Sequence, residues 1–136
     1  MRTLIGATLA AAAIVAVTAN NAAAFNCSIP ALANVAKKTV CGNPLLRTVD
    51  GKEETEFKAL GAGLSLEARR ALQRDRRLFI STRDGCDADQ RCLEATYRAQ
   101  IRLYTKLARC KVTRANQTFC VTTTTDKHRQ ELHKSL

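Results

Sequence analysis

Apolar residues recur every three or four positions over residues 34–110, and runs of β-branched residues are few in that part of the chain. This spacing is typical of amphipathic helices that bury one face. Capping residues and glycines divide the pattern into four segments. The sequence therefore predicts an all-α domain of about four helices.

The first two predicted helices begin at asparagines. Asn34 precedes a short helix from Val35 to about Cys41, because its side-chain oxygen can accept hydrogen bonds from the free amides of the first turn. Asn43 can cap the second helix in the same way. Pro44 then takes the first helical position, where the missing amide hydrogen of proline does no harm.

The second predicted helix has an interrupted apolar stripe. The stripe consists of Leu46, Val49, Phe57 and Leu60. Gly51 and the charged Glu53 interrupt it, and the segment ends at the glycines of residues 61–63. We therefore expect this helix to be the weakest of the long ones.

The third predicted helix follows Ser65 and is apolar on one side only. That side is formed by Leu64, Ala68, Leu72 and Phe79, with Ala71 and Leu78 beside them. The remaining sides carry Arg69, Arg70, Arg74, Arg76, Arg77 and Arg83. Positive charge therefore wraps much of this helix.

The fourth predicted helix, from about Asp87 to Arg109, has the cleanest division into two faces. Asp87 and Asp89 lie at its start, where the helix dipole favours negative charge. One face carries Leu93, Tyr97, Ile101, Tyr104 and either Leu107 or Ala108. The opposite face carries Arg91, Arg98, Arg102, Lys106 and Arg109.

The segment after Cys110 changes character, because it is polar and rich in threonine. It predicts a loop closed by Cys110 and Cys120, followed by a loose tail with one or two weak helical turns over residues 126–136. His128 and His133, the two histidines of the chain, lie five residues apart in that tail, off one helical face, and we expect them to be solvated.

The first 24 residues have the pattern of a secretory signal. Arg2 supplies a basic start, residues 4–17 an apolar middle, and Ala22-Ala23-Ala24 a cleavage site. We expect an exported protein, periplasmic or extracellular, without a transmembrane segment, because no later stretch reaches the roughly 18 to 20 apolar residues that a membrane helix needs. The predicted organisation is a signal over residues 1–24, a helical domain over 25–109, and the loop and tail over 110–136.

The six cysteines of an exported chain are expected to form disulfides. Nearest-neighbour pairing is the most economical of the 15 possible arrangements: it joins Cys27 to Cys41, Cys86 to Cys92 and Cys110 to Cys120. A continuous helix would hold the first pair about 21 Å apart, but a break at Pro30 lets the chain fold back.

The order of residues in the helical part resembles the LprI-type lysozyme-inhibitor domain, a family of exported bacterial proteins. The resemblance covers about residues 25–107. It is carried by Cys27, Val40-Cys41, Asn43-Pro44-Leu45, Asp50, the run from Phe79 to Cys86, Cys92-Leu93, Tyr97 and Ile101. It implies a small, helical, disulfide-linked protein, and the family name comes from binding and inhibition of lysozyme.

Four positions depart from the family pattern. Phe79 stands where relatives usually carry Trp, Lys37 where they carry Glu, Glu53 where they carry Leu, and Gln100 where Arg is frequent. Glu53 and Phe79 bear on the packing of the core. Lys37 bears on binding, since it adds to the positive charge.

The charge of the chain suggests an anionic partner. The sequence contains 22 Lys and Arg against 12 Asp and Glu, so the mature chain without Arg2 carries 21 − 12 = +9. Such a surface attracts anionic envelope polymers or lipid head groups, and it also keeps a small protein soluble. The candidate binding surface consists of Arg69, Arg70, Arg74, Arg77, Arg83, Arg98 and Arg102.

Two hypotheses of function follow, and both describe a binding protein. The resemblance implies a lysozyme inhibitor that inserts a loop such as residues 81–90 into an acidic cleft. The charge implies an accessory protein of the envelope. The sequence predicts no enzyme, metal site or cofactor, because no nucleophile and base or paired carboxylates come together. Nucleic acid is not expected either, since the aromatic residues belong to the apolar stripes. Arg83 and Asp84 are expected to form a structural salt bridge.

Overall fold

The computed structural model describes residues 27–28, 34–110 and 116–134. Within these parts the protein is all-α, as predicted, with five helices and no strand. The helices are α1 (Val35–Gly42), α2 (Pro44–Ala62), α3 (Leu66–Asp84), α4 (Gln90–Cys110) and α5 (Gln117–Lys134). The predicted signal, residues 1–24, lies outside the described residues.

The predicted caps hold the starts of the helices. The side-chain oxygen of Asn34 accepts from the amide of Lys37 at 2.8 Å, and that of Asn43 accepts from Leu45 at 2.9 Å. Ser65 caps α3 through the amide of Ala68 at 3.2 Å. These bonds satisfy amides that the helix itself leaves without partners.

The start of α4 differs from the prediction. The helix begins at Gln90 and not near Asp87, whose φ of 49° lies in the left-handed region. Asp89 is the residue that caps α4, because its carboxylate accepts from the amides of Arg91 at 2.9 Å and Cys92 at 3.1 Å. The acidic residues thus form the turn before the helix.

Two apolar clusters fill the interior, and they correspond to the predicted stripes. The cluster nearest α1 contains Ala36, Val40, Leu46, Phe79, Cys86, Leu93 and Tyr97. The second contains Leu60, Leu64, Ala68, Ala71, Leu72, Leu103, Tyr104, Leu107, Cys110 and Val121. Helix α4 contributes to both, and it packs against α2, α3 and α5.

The segment predicted as a disulfide-closed loop and a loose tail is largely the helix α5, so that prediction was wrong for residues 117–134. Gln117, Val121 and Thr125 are buried, one turn apart, on the side of α5 that packs against α3 and α4. Threonines have low helix propensity. The hydroxyl of Thr125 donates to the carbonyl of Val121 at 3.0 Å, and tertiary packing outweighs the weak local preference.

All three predicted disulfides are present. The Cα atoms of Cys27 and Cys41 are 5.7 Å apart, those of Cys86 and Cys92 5.5 Å, and those of Cys110 and Cys120 5.6 Å. The second bridge closes the turn between α3 and α4. The third fixes the first turn of α5 to the last residue of α4, which keeps these two helices together.

Helix α4 donates to three buried carboxylates. The hydroxyl of Tyr97 donates to Asp50 at 2.8 Å, and that of Tyr104 donates to Glu53 at 2.6 Å. The amide of Gln100 donates to Asp75 at 2.9 Å. Burial, and then the neighbouring carboxylate, raise the pKa of each tyrosine above its ordinary value. Both hydroxyls therefore stay protonated as donors.

Glu53, which was predicted to interrupt the stripe of α2, has a second hydrogen-bond donor besides Tyr104. Its carboxylate accepts hydrogen bonds from Nε and Nη2 of Arg76, each at 3.2 Å. Arg76 also pairs with Glu54 and lies over the ring of Phe57, 4.0 Å from its centroid. Burial lowers the pKa of Arg76, but the two carboxylates outweigh this effect and raise it. The charge on α2 is thereby matched across the interface with α3.

Removal of the guanidinium of Arg76 should destabilise the fold. We expect Arg76→Gln to lower the free energy of unfolding by about 2 to 3 kcal/mol, because Glu53 is left buried with one donor fewer. The neighbouring Arg77 is exposed, so Arg77→Gln should change the free energy of unfolding by less than about 0.5 kcal/mol. Urea unfolding of both variants tests this, and equal losses would contradict the assignment.

The stability should also respond to acid through Glu54. Burial raises the pKa of its carboxyl, but hydrogen bonds and attraction from Lys58 and Arg76 outweigh burial and hold it below the ordinary 4.5. Ionised Glu54 therefore stabilises the fold above that value, and the contribution is lost as the pH falls through the lowered folded pKa.

We expect Glu54→Gln to be less stable than the parent at about pH 7, with the difference shrinking as the pH falls below 4.5 and through the lowered pKa of Glu54. Urea unfolding over this pH range measures the difference. Glu67→Gln, at an exposed carboxylate of α3, is the control and should show a smaller change. A difference for Glu54→Gln that is independent of pH would be incompatible with this role.

Candidate functional site

A groove of about 590 Å³ runs between α4 and α5. Its cationic lining is formed by Arg102, Lys106, Arg109 and Lys127. Glu131 is the one carboxylate among the described residues that line it, and His128 lies in the same wall. The groove is therefore the place where the positive charge of the chain meets a concave surface.

The cations are placed by helix geometry. Arg102, Lys106 and Arg109 recur at i, i+4 and i+7, which puts them in a row along one face of α4. The buried stripe of α4 occupies the other face, so packing of the core fixes the direction of this row. Lys127 faces the row from α5. The site thus depends on α5 being a helix.

The floor of the groove is apolar. It is formed by Ala99, Leu103 and Leu132 together with the Cys110–Cys120 disulfide. Leu103 belongs to the core, and the disulfide holds one end of the groove at a fixed width. A ligand can therefore place carbon atoms on the floor while its charged groups meet the cations at the edge.

His128 is not solvated as predicted. Its side chain is 12% exposed, and Nδ1 lies 3.2 Å from the carboxylate of Asp75. Its second nitrogen, Nε2, is buried and has no hydrogen-bond partner among the described residues. His128 lines the groove, but this nitrogen is enclosed and does not open onto the groove surface. The side chain of His133 lies outside the described part of the structure.

The seven arginines of the predicted surface are divided by the fold. Arg102 lies in the groove. Arg98 pairs with Glu94 along α4 at 2.9 Å, and Arg69 donates to the carbonyls of Gly61 at 3.1 Å and Leu64 at 3.3 Å. Arg70, Arg74 and Arg77 are exposed on α3, as Arg69 is, and all four lie outside the groove. The structure therefore does not gather these arginines into one patch.

Arg83 does not belong to a binding surface, and this part of the prediction was wrong. The residue is 4% exposed. Its guanidinium donates to Asp84 at 2.7 Å and lies 5.8 Å from the centroid of the Phe79 ring. The predicted salt bridge between Arg83 and Asp84 is confirmed, and its burial shows a structural role next to the Cys86–Cys92 bridge.

The sequence pattern missed four lining residues for two reasons. Lys106 and Arg109 were recognised as part of the basic face of α4 but not as members of a site. Lys127 and His128 were assigned to a tail. A period of four in Gln117, Val121 and Thr125 was the available signal for α5, but the threonine-rich composition concealed it.

Comparisons with protein-family models, curated proteins and solved structures give no match for this chain. In the parts of the chain that the structure describes, no helix has the length and apolarity needed to cross a membrane. The same parts contain no group of three His, Cys, Asp or Glu residues arranged to hold a metal ion. The geometry of the groove is therefore the main support for a functional conclusion.

Proposed function

We propose that this protein is an exported binding protein that holds an anionic polymer of the cell envelope in the groove between α4 and α5. The observation that carries the proposal is the row of Arg102, Lys106 and Arg109, faced by Lys127 across an apolar floor. The signal-like start of the chain and the three disulfides support export.

The spacing of the cations favours a ligand with several negative charges. Side chains one helical turn apart lie about 5 to 6 Å from each other at Cβ, so one small anion cannot contact the whole row. A polymer with repeating phosphate or carboxylate groups can follow it. The charge of +9 expected for the mature chain draws such a polymer in from a distance, and the groove fixes where it binds.

The apolar floor favours a polymer with carbon-rich units between its charges. Leu132 and Cys120, both half-buried, provide surface for the CH groups of sugar or glycerol units. The binding mode combines charge attraction with burial of apolar area.

The proposal is tested by two double variants with equal charge. Arg102→Glu with Lys127→Glu reverses two cations of the groove, and Arg74→Glu with Arg77→Glu reverses two exposed cations of α3. With fluorescent poly(glycerol phosphate) as the probe, we expect the groove variant to bind at least about tenfold more weakly and the α3 variant within about threefold of the parent.

Fluorescence anisotropy at low and moderate salt measures the affinities, with neutral dextran as the control polymer. Equal losses in both variants would mean that binding depends on total charge and not on the groove. An unchanged groove variant, or absence of binding by the parent chain, would overturn the proposal. Circular dichroism checks that both variants are folded.

A second candidate function, lysozyme inhibition, is favoured by the turn between α3 and α4. Insertion of residues 81–90 into an acidic cleft, the mode that the resemblance implies, does not fit the structure. Residues 81–84 belong to α3 and not to a loop, and Arg83, the cation of this segment, is buried. The turn presents Asp87 and Asp89, both exposed, beside the Cys86–Cys92 bridge. Since animal lysozymes are basic, these carboxylates suit the basic surface of the enzyme and not its acidic cleft.

Lysozyme inhibition is tested on the oxidised mature chain with a soluble oligosaccharide substrate, at low and moderate salt. We expect Asp87→Asn with Asp89→Asn to weaken inhibition about tenfold. Asparagine tolerates the left-handed φ of position 87 and can still cap α4 from position 89, so the turn is preserved.

The matched control removes two carboxylates elsewhere, through Glu67→Gln with Asp126→Asn, and should inhibit like the parent. Absence of inhibition by the parent at either salt would exclude this function for the chain. Equal effects of the two double variants would instead point to total charge.

A further inference from the structure

Two large apolar side chains are exposed at one end of the helix bundle. Leu66, at the start of α3, is 62% exposed, and Phe119, in the first turn of α5, is 74% exposed. The residues that precede them, Ser65 and Thr118, are hydrogen-bonded to each other, with their hydroxyl oxygens 3.1 Å apart. The two side chains therefore occupy the same end of the helix bundle.

This end is fixed by further bonds. The side-chain oxygen of Gln117 accepts from the amide of Ser65 at 2.8 Å, and its nitrogen donates to the carbonyl of Gly63 at 3.1 Å. Gln117 itself is buried. The exposure of Leu66 and Phe119 is therefore built into a fixed junction of α3 and α5.

Cations surround the exposed pair. Arg69 and Arg70 lie one turn after Leu66 on α3. The Cys110–Cys120 disulfide joins the end of α4 to the start of α5. Arg109, next to Cys110, therefore lies near Phe119, which is next to Cys120. Lys106 lies one turn earlier on α4. Among the described residues of these turns, Glu67 supplies the opposing charge, so the end is basic.

The opposite end of the bundle offers an internal comparison. It also exposes two apolar residues, Val35 at 49% and Leu45 at 78%. The amide of Asn43 donates to Gln90 at 3.1 Å, which places the starts of α2 and α4 together there. The charged residues of this end include the cations Lys37, Lys38, Arg47, Arg83 and Arg91 and the carboxylates Asp84, Asp87, Asp89 and Glu94. Cations and carboxylates are therefore mixed at this end.

We propose that the end of the bundle carrying Leu66 and Phe119 docks on an anionic lipid bilayer. The two apolar side chains enter the region between the head groups, and the surrounding arginines and Lys106 face the lipid phosphates. Apolar burial and attraction to anionic lipid act together in such interfacial contacts. The apolar part of this surface is separate from the groove, since neither Leu66 nor Phe119 lines it, whereas Lys106 and Arg109 also belong to the groove lining.

The test measures sedimentation of the mature chain with vesicles of phosphatidylcholine that contain about three parts in ten of phosphatidylglycerol. We expect Leu66→Ser with Phe119→Ser to weaken partitioning at least about tenfold, because the apolar contribution is lost while the charge is unchanged. Val35→Ser with Leu45→Ser is the matched control, and it should partition within about twofold of the parent.

Three outcomes would overturn the docking proposal. These are equal partitioning of the two double variants, equal binding of the parent to vesicles of phosphatidylcholine alone, and no binding to either vesicle. All four substituted side chains are exposed, and thermal unfolding confirms that the variants are folded.

The failure of this proposal is distinguishable from failure of the groove. Leu66→Ser with Phe119→Ser should bind poly(glycerol phosphate) like the parent chain. Arg102→Glu with Lys127→Glu should retain an apolar-dependent part of vesicle binding, which the serine substitutions at Leu66 and Phe119 then remove. Parallel losses of polymer and vesicle binding in both variants would show one shared surface and contradict the docking proposal.

Discussion

Three carboxylates of α2 and α3 are buried, and each depends on a donor from α4. Tyr97, Gln100 and Tyr104 lie at i, i+3 and i+7 and meet Asp50, Asp75 and Glu53 respectively. Burying a carboxylate without donors is costly, so these bonds determine how α4 is rotated between its neighbours. The direction of every other side chain on α4 follows from that rotation.

The rotation of α4 produces the groove. With the three donors and the apolar stripe turned inward, Arg102, Lys106 and Arg109 are turned outward toward α5. Asp75 joins the two features, because it accepts from Gln100 on one oxygen and lies beside His128 on the other. The same carboxylate therefore fixes α4 in the core and a wall residue of the groove on α5.

Burial of polar residues also explains where the predictions from sequence failed. Glu53 interrupts the stripe of α2, but Tyr104 and Arg76 supply its donors from two other helices. Arg83 resembled its exposed neighbours in sequence, but it is buried next to Asp84. A pattern along one helix carries no record of the donors on another, so it marks such residues as exposed or disruptive.

The sequence by itself determined the features that depend on neighbours along the chain. These are the caps at Asn34, Asn43 and Ser65, the apolar stripes of the first four helices, and the disulfides, since short loops bring nearest cysteines together. Only the tertiary structure decided that residues 117–134 form a helix. Their threonines give weak local preference, and burial of Gln117, Val121 and Thr125 against α3 and α4 supplies the missing stability. Because the groove needs that helix, the candidate site also became visible only in the folded chain.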